Sequence, residues 1–313
     1  MLVLWVVATI LFFMFRFMPG NPLAAFIDPN FTPEQQQALM HDFGLDKPMY
    51  VQYFVYLKNL ATGNLGESFF FRKKVSTLLG EVFPNTIMLT GVALFLAYLI
   101  GVLGGILLAW KRGTAFDSIG TTFVLMTRAA PEFWVGMVVL ALFSFRLGWF
   151  PASGASSPGS VYPSFWDKLA SRDFWHHLVL PATTLALYLM GLPLLLMRSN
   201  MLDVMEDDHV VMSRMKGFSE WRIMIRHAAR NALLPVLTAL ALGIGYAVGG
   251  NVVIESVFSW PGLGQLLVKA VANKDYPVAQ GAFFLSAVVI VLMNLVADLL
   301  YGVLDPRVGQ GKR

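Results

Sequence analysis

The sequence lacks cysteine and is poor in charged residues. With no cysteine among its 313 residues, the chain has no disulfide, no thiolate ligand and no thiol nucleophile. Charged residues make up 13% of the chain, whereas a soluble protein has about 25%. So little charge does not cover a water-exposed surface of this size. The composition therefore excludes a cytosolic enzyme, a disordered chain and a nucleic-acid-binding protein.

Sequence patterns of nucleotide and catalytic sites are also missing. No G-x-x-x-x-G-K-[ST] phosphate-binding loop occurs, so the chain does not carry the usual ATP site. The five histidines lack the H-E-x-x-H spacing of a zinc protease, and there is no G-x-S-x-G nucleophile motif. We predict a protein that is not an enzyme, with no catalytic residue, metal or cofactor of its own.

Apolar residues make up 57% of the chain and form six long stretches. A helix needs about 20 mostly apolar residues to cross about 30 Å of hydrocarbon, because lipid offers backbone groups no other partner. We predict an all-α integral membrane protein with six transmembrane helices. The candidate spans are residues 2–18, 85–110, 118–145, 174–197, 232–254 and 279–303.

The first stretch has an alternative interpretation as a secretory signal peptide. Such a peptide needs a charged start and a small-residue cleavage site, and neither is clear in this sequence. We favour a retained span with a shortened start.

Two pairs of glycines have the small-xxx-small spacing that lets helix backbones approach closely. They are Gly101 with Gly105 and Gly245 with Gly249. We interpret both pairs as packing positions rather than gates.

The basic residues of the short loops predict the orientation, because cytoplasmic loops carry an excess of Lys and Arg. An orientation with both termini inside places more basic residues on the cytoplasmic side than on the outside. The inner residues would be Lys111, Arg112, Arg198, Arg214, Lys216, Arg222, Arg226, Arg230, Arg307, Lys312 and Arg313. This count predicts an even number of spans with both ends in the cytoplasm.

The predicted organisation has two parts. Residues 1–84 form an N-terminal transmembrane helix plus an extracytoplasmic helical segment, with helices predicted from Thr32 to Gly44, from Tyr50 to Leu60 and from Val75 to Val82. We favour a cap over the outer mouth for this segment, rather than a binding domain. Residues 85–313 form a five-helix permease core.

One long polar segment, residues 199–231, lies on the predicted cytoplasmic side, and we call it the inner segment. Acidic residues at its start and basic residues further on complement the dipole of one short helix over residues 203–216, which Gly217 ends. Ser219 is predicted to cap a second helix. The charges are Asp203, Glu206, Asp207, Asp208, Arg214 and Lys216. The pattern alone favours neither docking in the groove of another protein nor an amphipathic loop on the lipid surface.

The run MSRMKGFSEWRIMIRHAARNALLPV, which begins at Met212, resembles the EAA loop of binding-protein-dependent ABC importers. Further matches extend the resemblance over nearly the whole chain. These are FMPGNP (17–22), FGLDKPMYVQYFVYL (43–57), GNLGES (63–68), APEFWVGM (130–137), FSWPGLGQLL (258–267), DYPVAQG (275–281) and LYGVLDPRV (300–308). The chain most resembles the first permease subunit of dipeptide, oligopeptide and nickel importers. It departs from the EAA triplet, where it has Val211, Met212 and Ser213.

The resemblance implies a type I ABC importer permease (MetI-like) fold in a bacterial plasma membrane. It implies two cytoplasmic ATPase subunits, a second homologous permease that forms a heterodimer, and an extracytoplasmic substrate-binding protein. The ATPase-coupling residues would be the six charges named for the inner segment, with Gly217 at the bend. Peptides are the implied substrates, although nickel and glutathione permeases share these motifs. A secondary transporter or channel that works without ATPase partners is the alternative.

Four charged residues within or at the ends of the spans are candidates for the translocation pathway, because a charge exposed to lipid is costly. They are Arg128, Glu132, Glu255 and Asp298. Arg128 and Glu132 would pair with each other or contact the charged termini of a peptide. For each residue singly we favour hydrogen bonding between helices over substrate contact. Arg128 is the first choice for a functional residue.

Overall fold

A computed structural model describes residues 2–17, 32, 47–68, 70–248 and 251–304. Within these ranges every regular element is a helix, and the β pairing consists of one isolated bridge between Glu67 and Lys74. The all-α prediction is therefore confirmed for the part of the chain that the structure describes.

The first eight helices run from residue 2 to the start of the inner segment. They are α1 Leu2–Arg16, α2 Met49–Ala61, α3 Val75–Trp110, α4 Ala115–Ala129, α5 Glu132–Leu140, α6 Phe165–Ala170, α7 Arg172–Leu189 and α8 Gly191–Val204. A π-helical turn, Ala141–Arg146, extends α5.

The remaining helices are α9 Asp208–Met215, α10 Ala229–Val248, α11 Val252–Val257, α12 Leu263–Ala272 and α13 Tyr276–Leu304. A helical turn, Glu220–Arg222, and a π-helical stretch, Ile223–Ala228, lead into α10 without a break.

Two helices in the described residues are long and apolar enough to cross a membrane: α3 and the Tyr276–Val296 part of α13. Two bent helix pairs are also long and apolar enough when each pair is taken as one span. They are α4 with α5 and its π-helical extension, and α7 with α8. Helix α1 is apolar but shorter. The described helices therefore account for up to four spans by this measure, and the count of six stays a prediction.

The span predicted over residues 118–145 is not continuous. Helix α4 ends at Ala129, and the axis turns by 104° before α5 begins at Glu132. Pro131 has no amide hydrogen and disfavours helical backbone in the residue before it. Ala130 accordingly adopts extended backbone, with φ −71° and ψ 138°. The apolar run indicated enough apolar residues for a span, but it did not indicate this break.

The predicted close packing at Gly101 and Gly105 is confirmed. A Cβ atom added at Gly105 would lie 2.6 Å from the Leu194 carbonyl oxygen and 2.7 Å from Met197 Cβ. One added at Gly101 would lie 2.8 Å from Pro193 Cγ. Helices α3 and α8 therefore touch backbone to backbone, which a larger side chain at either glycine would prevent.

The predicted extracytoplasmic segment differs from its prediction where it joins the permease core. The helix predicted from Thr32 to Gly44 lies outside the described residues, apart from Thr32 itself. The predicted second helix is confirmed as α2. The predicted third helix is the first part of α3, which continues through Pro84 to Trp110. The predicted boundary at residue 84 therefore lies within one continuous helix.

Candidate coupling and pathway sites

The inner segment does not form the single helix predicted over residues 203–216. Asp203 belongs to the last turn of α8, and a tight turn separates α8 from α9. Asp207 has extended backbone at the N-cap of α9, with φ −66° and ψ 146°. Three successive acidic residues, Glu206, Asp207 and Asp208, explain the break, because aspartate favours a helix start over a helix interior.

Helix α9 has one buried side and one exposed apolar side. Val210 and Ser213 are buried, and Val210 belongs to an apolar cluster that also contains residues of α3 and α8. The opposite side is exposed, and Met215 is 81% accessible. With one aromatic residue that follows, it forms what we call the docking patch: Val211, Met212, Met215 and Trp221.

Two ion pairs border the docking patch. Arg214 donates to Glu220 from Nε at 2.9 Å and from Nη2 at 3.2 Å, closing the bend between α9 and the next helix. This hydrogen bonding raises the pKa of Arg214 above its usual value. Arg112 Nη1 lies 3.3 Å from Glu206 Oε1. Three predicted coupling charges are exposed and form no ion pair in the described part of the chain: Asp203, Asp208 and Lys216.

The bend after α9 depends on Gly217, as predicted. Its φ of 75° lies in the left-handed region that glycine adopts at low cost. Its amide donates to the Arg214 carbonyl oxygen at 2.9 Å, which closes the end of α9. Ser219 occupies the predicted N-cap position of the following helix, but its side chain makes no capping hydrogen bond.

Arg128 lies in the last turn of α4, with an exposed side chain. Its aliphatic stem packs against Gly191 at the bend between α7 and α8. A Cβ added at Gly191 would lie 2.5 Å from Arg128 Cδ. Arg128 forms no ion pair within the described residues. The pairing considered with Glu132 is therefore absent, since Glu132 Oε1 instead accepts from Asn251 Nδ2 at 2.6 Å.

Glu255 lies in a cluster at the opposite end of α3 from the inner segment. Glu255 is fully buried, and it accepts from Thr86 Oγ1 at 2.7 Å and from the Gln265 amide at 3.0 Å. Trp260, also fully buried, donates from Nε1 to the Asn85 carbonyl oxygen at 3.0 Å. We call Asn85, Thr86, Glu255, Trp260 and Gln265 the outer clip.

The outer clip encloses the Glu255 side chain, which therefore has a structural role and is not open to a substrate. Its carboxylate has no exposed surface, and a Cβ added at Gly262 would overlap it. Hydrogen bonding between helices, the interpretation that we favoured from sequence, describes both Glu255 and Glu132. Asp298 lies in α13, and its side chain is outside the described residues. No group of three metal-ligating residues is found among the residues that the structure describes.

Sequence reasoning missed the pair formed by Asp117 and Arg198. Arg198 donates to Asp117 from Nε at 2.7 Å and from Nη2 at 2.8 Å, which is a two-point contact between α4 and α8. Thr114 caps α4 by accepting from the Asp117 amide. The Thr114-x-x-Asp117 pattern signals a helix start, but nothing in the sequence indicates that its carboxylate meets a residue 81 positions away.

Two family descriptions match the sequence. Residues 101–310 match the binding-protein-dependent transport system inner membrane component, and residues 1–90 match the N-terminal part of such a membrane component. The matched ranges include the inner segment, the bend at Pro131 and both ends of the outer clip.

Full-length relatives have related names. The chain is 38% identical over 314 residues to a di/tripeptide transport system permease protein of Pseudomonas aeruginosa, covering 96% of this chain and 94% of the relative. It is 39% identical over 300 residues to an oligopeptide transport system permease protein of Bacillus subtilis, covering 95% and 92%.

A solved structure shares the fold. The inward-facing MetNI methionine ABC transporter matches with a TM-score of 0.56 at 16% identity, covering 73% of this chain and 96% of that chain. A second crystal form of that transporter gives a TM-score of 0.58. At this identity the likeness concerns the helical arrangement alone, and it agrees with the expected type I importer fold. The chain thus belongs to the family of inner membrane components of binding-protein-dependent transport systems.

Proposed function

We propose that this chain is the permease subunit through which an ABC importer moves peptides across a bacterial plasma membrane. The observation that carries the proposal is the docking patch, held between two turns on a helix whose other side is buried. The names of the relatives favour di-, tri- or oligopeptides as the substrates. Energy would come from ATPase subunits, because the sequence has no phosphate-binding loop.

The docking patch has the properties of a protein interface. Its methionines are flexible apolar side chains that adapt to a partner surface, and its tryptophan is a residue type enriched at interface centres. Exposed charges surround these residues, as in the rim of a typical interface. An amphipathic helix that contacts lipid would also expose apolar residues, but the ion pair of Arg214 with Glu220 gives this one a fixed bend.

The proposed assembly contains four further subunits. Two ATPase subunits would bind from the cytoplasm, one against each permease, and a second homologous permease would complete the pathway as a heterodimer. An extracytoplasmic binding protein would deliver the peptide. Both termini of this chain would lie in the cytoplasm, as the basic loops predict. ATP binding would close the ATPases and shift the permeases as rigid bodies between inward- and outward-open states.

Substitutions at the bend test the docking role. We expect Gly217→Pro to abolish uptake, because proline does not adopt a positive φ and removes the amide that closes α9. Arg214→Glu would place two like charges beside each other and should also abolish uptake. The measurements are peptide uptake by membrane vesicles and co-purification of the ATPase subunits.

The matched control is Arg146→Glu, which reverses an exposed charge outside the inner segment. It should retain uptake and co-purification. If Gly217→Pro or Arg214→Glu reaches the membrane and transports peptide at the wild-type rate, the docking role is wrong.

For the pathway, we propose that Arg128 contacts the carboxylate end of a peptide and that Glu132 lies close by. An arginine within a predicted membrane span is costly when it faces lipid without a partner, so an aqueous pathway is the favourable environment for the exposed Arg128 side chain. Arg128→Gln should lower uptake about fivefold while ATP hydrolysis by the complex continues, a loss of about 1 kcal/mol. Equal loss for Arg146→Gln would argue against a specific role.

The alternative is a secondary transporter or channel that works without ATPases. Vesicles that contain only this chain and its homologous partner distinguish the two functions. We expect no uptake until ATPase subunits, binding protein and ATP are added. Uptake by the permeases alone would favour the alternative.

A further inference from the structure

Two ion pairs lie close to the inner segment, and they differ in burial. The Arg112–Glu206 pair is exposed, with side chains 55% and 74% accessible and a single contact at 3.3 Å. The Asp117 and Arg198 side chains are only 6% and 26% accessible, and they make two short parallel contacts. Paired Arg–carboxylate forks have a defined geometry as well as a favourable energy, whereas single exposed pairs contribute little.

The buried pair joins the helix before the docking patch to the helix before the bend at Pro131. Arg198 lies on α8, and only the turn at Glu206 separates α8 from α9. Asp117 lies in the first turn of α4, which ends at the 104° bend next to Glu132. Asp117 also accepts from the Gly113 amide at 3.2 Å, so the backbone just before α4 fixes the position of its carboxylate as well.

Helix α8 has a second attachment, to α3. The contacts at Gly101 and Gly105 bring α3 and α8 together at backbone distance. Helix α4 approaches the same body, because a Cβ added at Gly120 would lie 2.6 Å from Leu108 Cδ2 of α3. Helices α3, α4 and α8 are therefore packed as one unit on the inner side. Within this unit, the Asp117–Arg198 pair is the polar contact between α4 and α8.

We propose that Asp117 and Arg198 are positioning residues that make α4 follow α8, so that a displacement of the docking patch reaches the bend at Pro131. The proposal rests on the proposed function, in which ATPases move α9. The pair acts through helix position and touches no substrate. Its loss should therefore separate ATP hydrolysis from transport, rather than reduce both.

The first experiment uses Asp117→Asn, which keeps the shape and removes the charge. In the reconstituted complex we expect peptide uptake to fall about tenfold per ATP hydrolysed, with hydrolysis itself within about twofold of wild type. The control is the double variant Lys73→Ala/Glu81→Ala, which removes an exposed pair outside the inner segment and should leave that ratio unchanged. A parallel fall in uptake and hydrolysis, or an unchanged ratio for Asp117→Asn, would overturn the proposal.

The second experiment measures movement directly and does not depend on how the variant folds. Because the chain has no cysteine, Thr122→Cys on α4 and Ser199→Cys on α8 place two spin labels at exposed positions without removing native thiols. In the complex with Asp117 intact, we expect the same label distance, within about 2 Å, with and without ATP. A larger change on ATP binding means that α4 does not follow α8, and the proposal is then wrong.

The same samples separate this proposal from the proposed function. A complex without any ATP-driven uptake would contradict the proposed function. A complex that transports peptide normally, while its label distance changes with ATP, would contradict only the role of the Asp117–Arg198 pair.

Discussion

The outer clip and the docking patch lie towards opposite ends of the molecule and are built in opposite ways. The outer clip buries a carboxylate and an indole, and provides each with a hydrogen-bond partner from a distant part of the chain. The docking patch leaves methionine and tryptophan side chains in the open, although the chain has buried apolar clusters close by. The polar groups of the outer clip are satisfied within the chain, whereas the docking patch has the composition of a surface that binds another protein.

This difference indicates where stability and where function are encoded. Buried polar groups with partners stabilise a unique arrangement, and removing one partner leaves the other unsatisfied at a cost. Exposed apolar side chains contribute little to the fold, because their surroundings are the same in the unfolded chain. Substitutions in the outer clip should therefore act on folding, and substitutions in the docking patch on assembly.

The largest expected effect is on the outer clip. Trp260→Ala removes a fully buried indole and its bond to Asn85, and should cost about 3–5 kcal/mol of unfolding free energy. Thermal unfolding of the purified protein in detergent measures the loss. A variant as stable as wild type would contradict the structural role of the clip.

A smaller effect is expected in the docking patch. Met215→Glu changes an exposed side chain, so it should leave thermal unfolding within about 0.5 kcal/mol of wild type. The charge would nevertheless be buried if α9 docks in a groove, and binding of the ATPase subunits should weaken by at least about 2 kcal/mol. A binding titration with purified ATPase measures the effect. If stability falls and binding does not, the comparison between the two regions fails.

The bend between α9 and the next helix should show a still smaller effect. Glu220→Gln keeps the size of the side chain and removes the charge opposite Arg214. Both groups are more than one-third exposed, so solvent screening limits the loss to about 0.5 kcal/mol. Thermal unfolding at low and at high salt provides the measurement, and the difference from wild type should shrink at high salt.

The smallest effect is expected at Tyr56 of α2, whose buried hydroxyl has no hydrogen-bond partner among the residues that the structure describes. Tyr56→Phe should therefore be as stable as wild type at neutral pH. Burial, with a smaller contribution from Tyr53, raises the pKa of Tyr56 to about 12 from the usual 10. Between these values the unfolded chain releases a proton that the folded chain keeps.

Wild-type stability should accordingly fall relative to Tyr56→Phe as the pH rises from about 10 to about 12. Parallel unfolding curves of the two proteins over this range measure the difference. A constant difference would contradict the burial of this hydroxyl.

Local patterns predicted the features that depend on neighbouring residues. The apolar runs indicated helices, and the spacing of Gly101 and Gly105 indicated close packing, because both signals lie within one helix. Gly217 was likewise identified from the end of a charged helix. The break in the inner segment was missed, since the same acidic residues favour either a long helix with a complementary dipole or a turn followed by a new helix.

Proline was a poor guide to helix ends in this chain. Pro84, Pro181 and Pro235 lie inside α3, α7 and α10, whereas Pro131 separates α4 from α5. The difference lies in tertiary packing rather than in residue type. Contacts across long stretches of chain were similarly beyond prediction, and Thr86 meets a carboxylate 169 residues further on.

Helix α3 connects the two regions compared above. Asn85 holds the Trp260 indole, and 25 residues later the Trp110 ring lies 5.4 Å from Trp221 of the docking patch. These two points are separated by about 38 Å of one helix. If α3 pivots as a rod, a tilt of ten degrees moves one end relative to the other by about 7 Å. A displacement of α3 beside the docking patch would then move the outer clip as well, and no further element would be needed to connect the two regions.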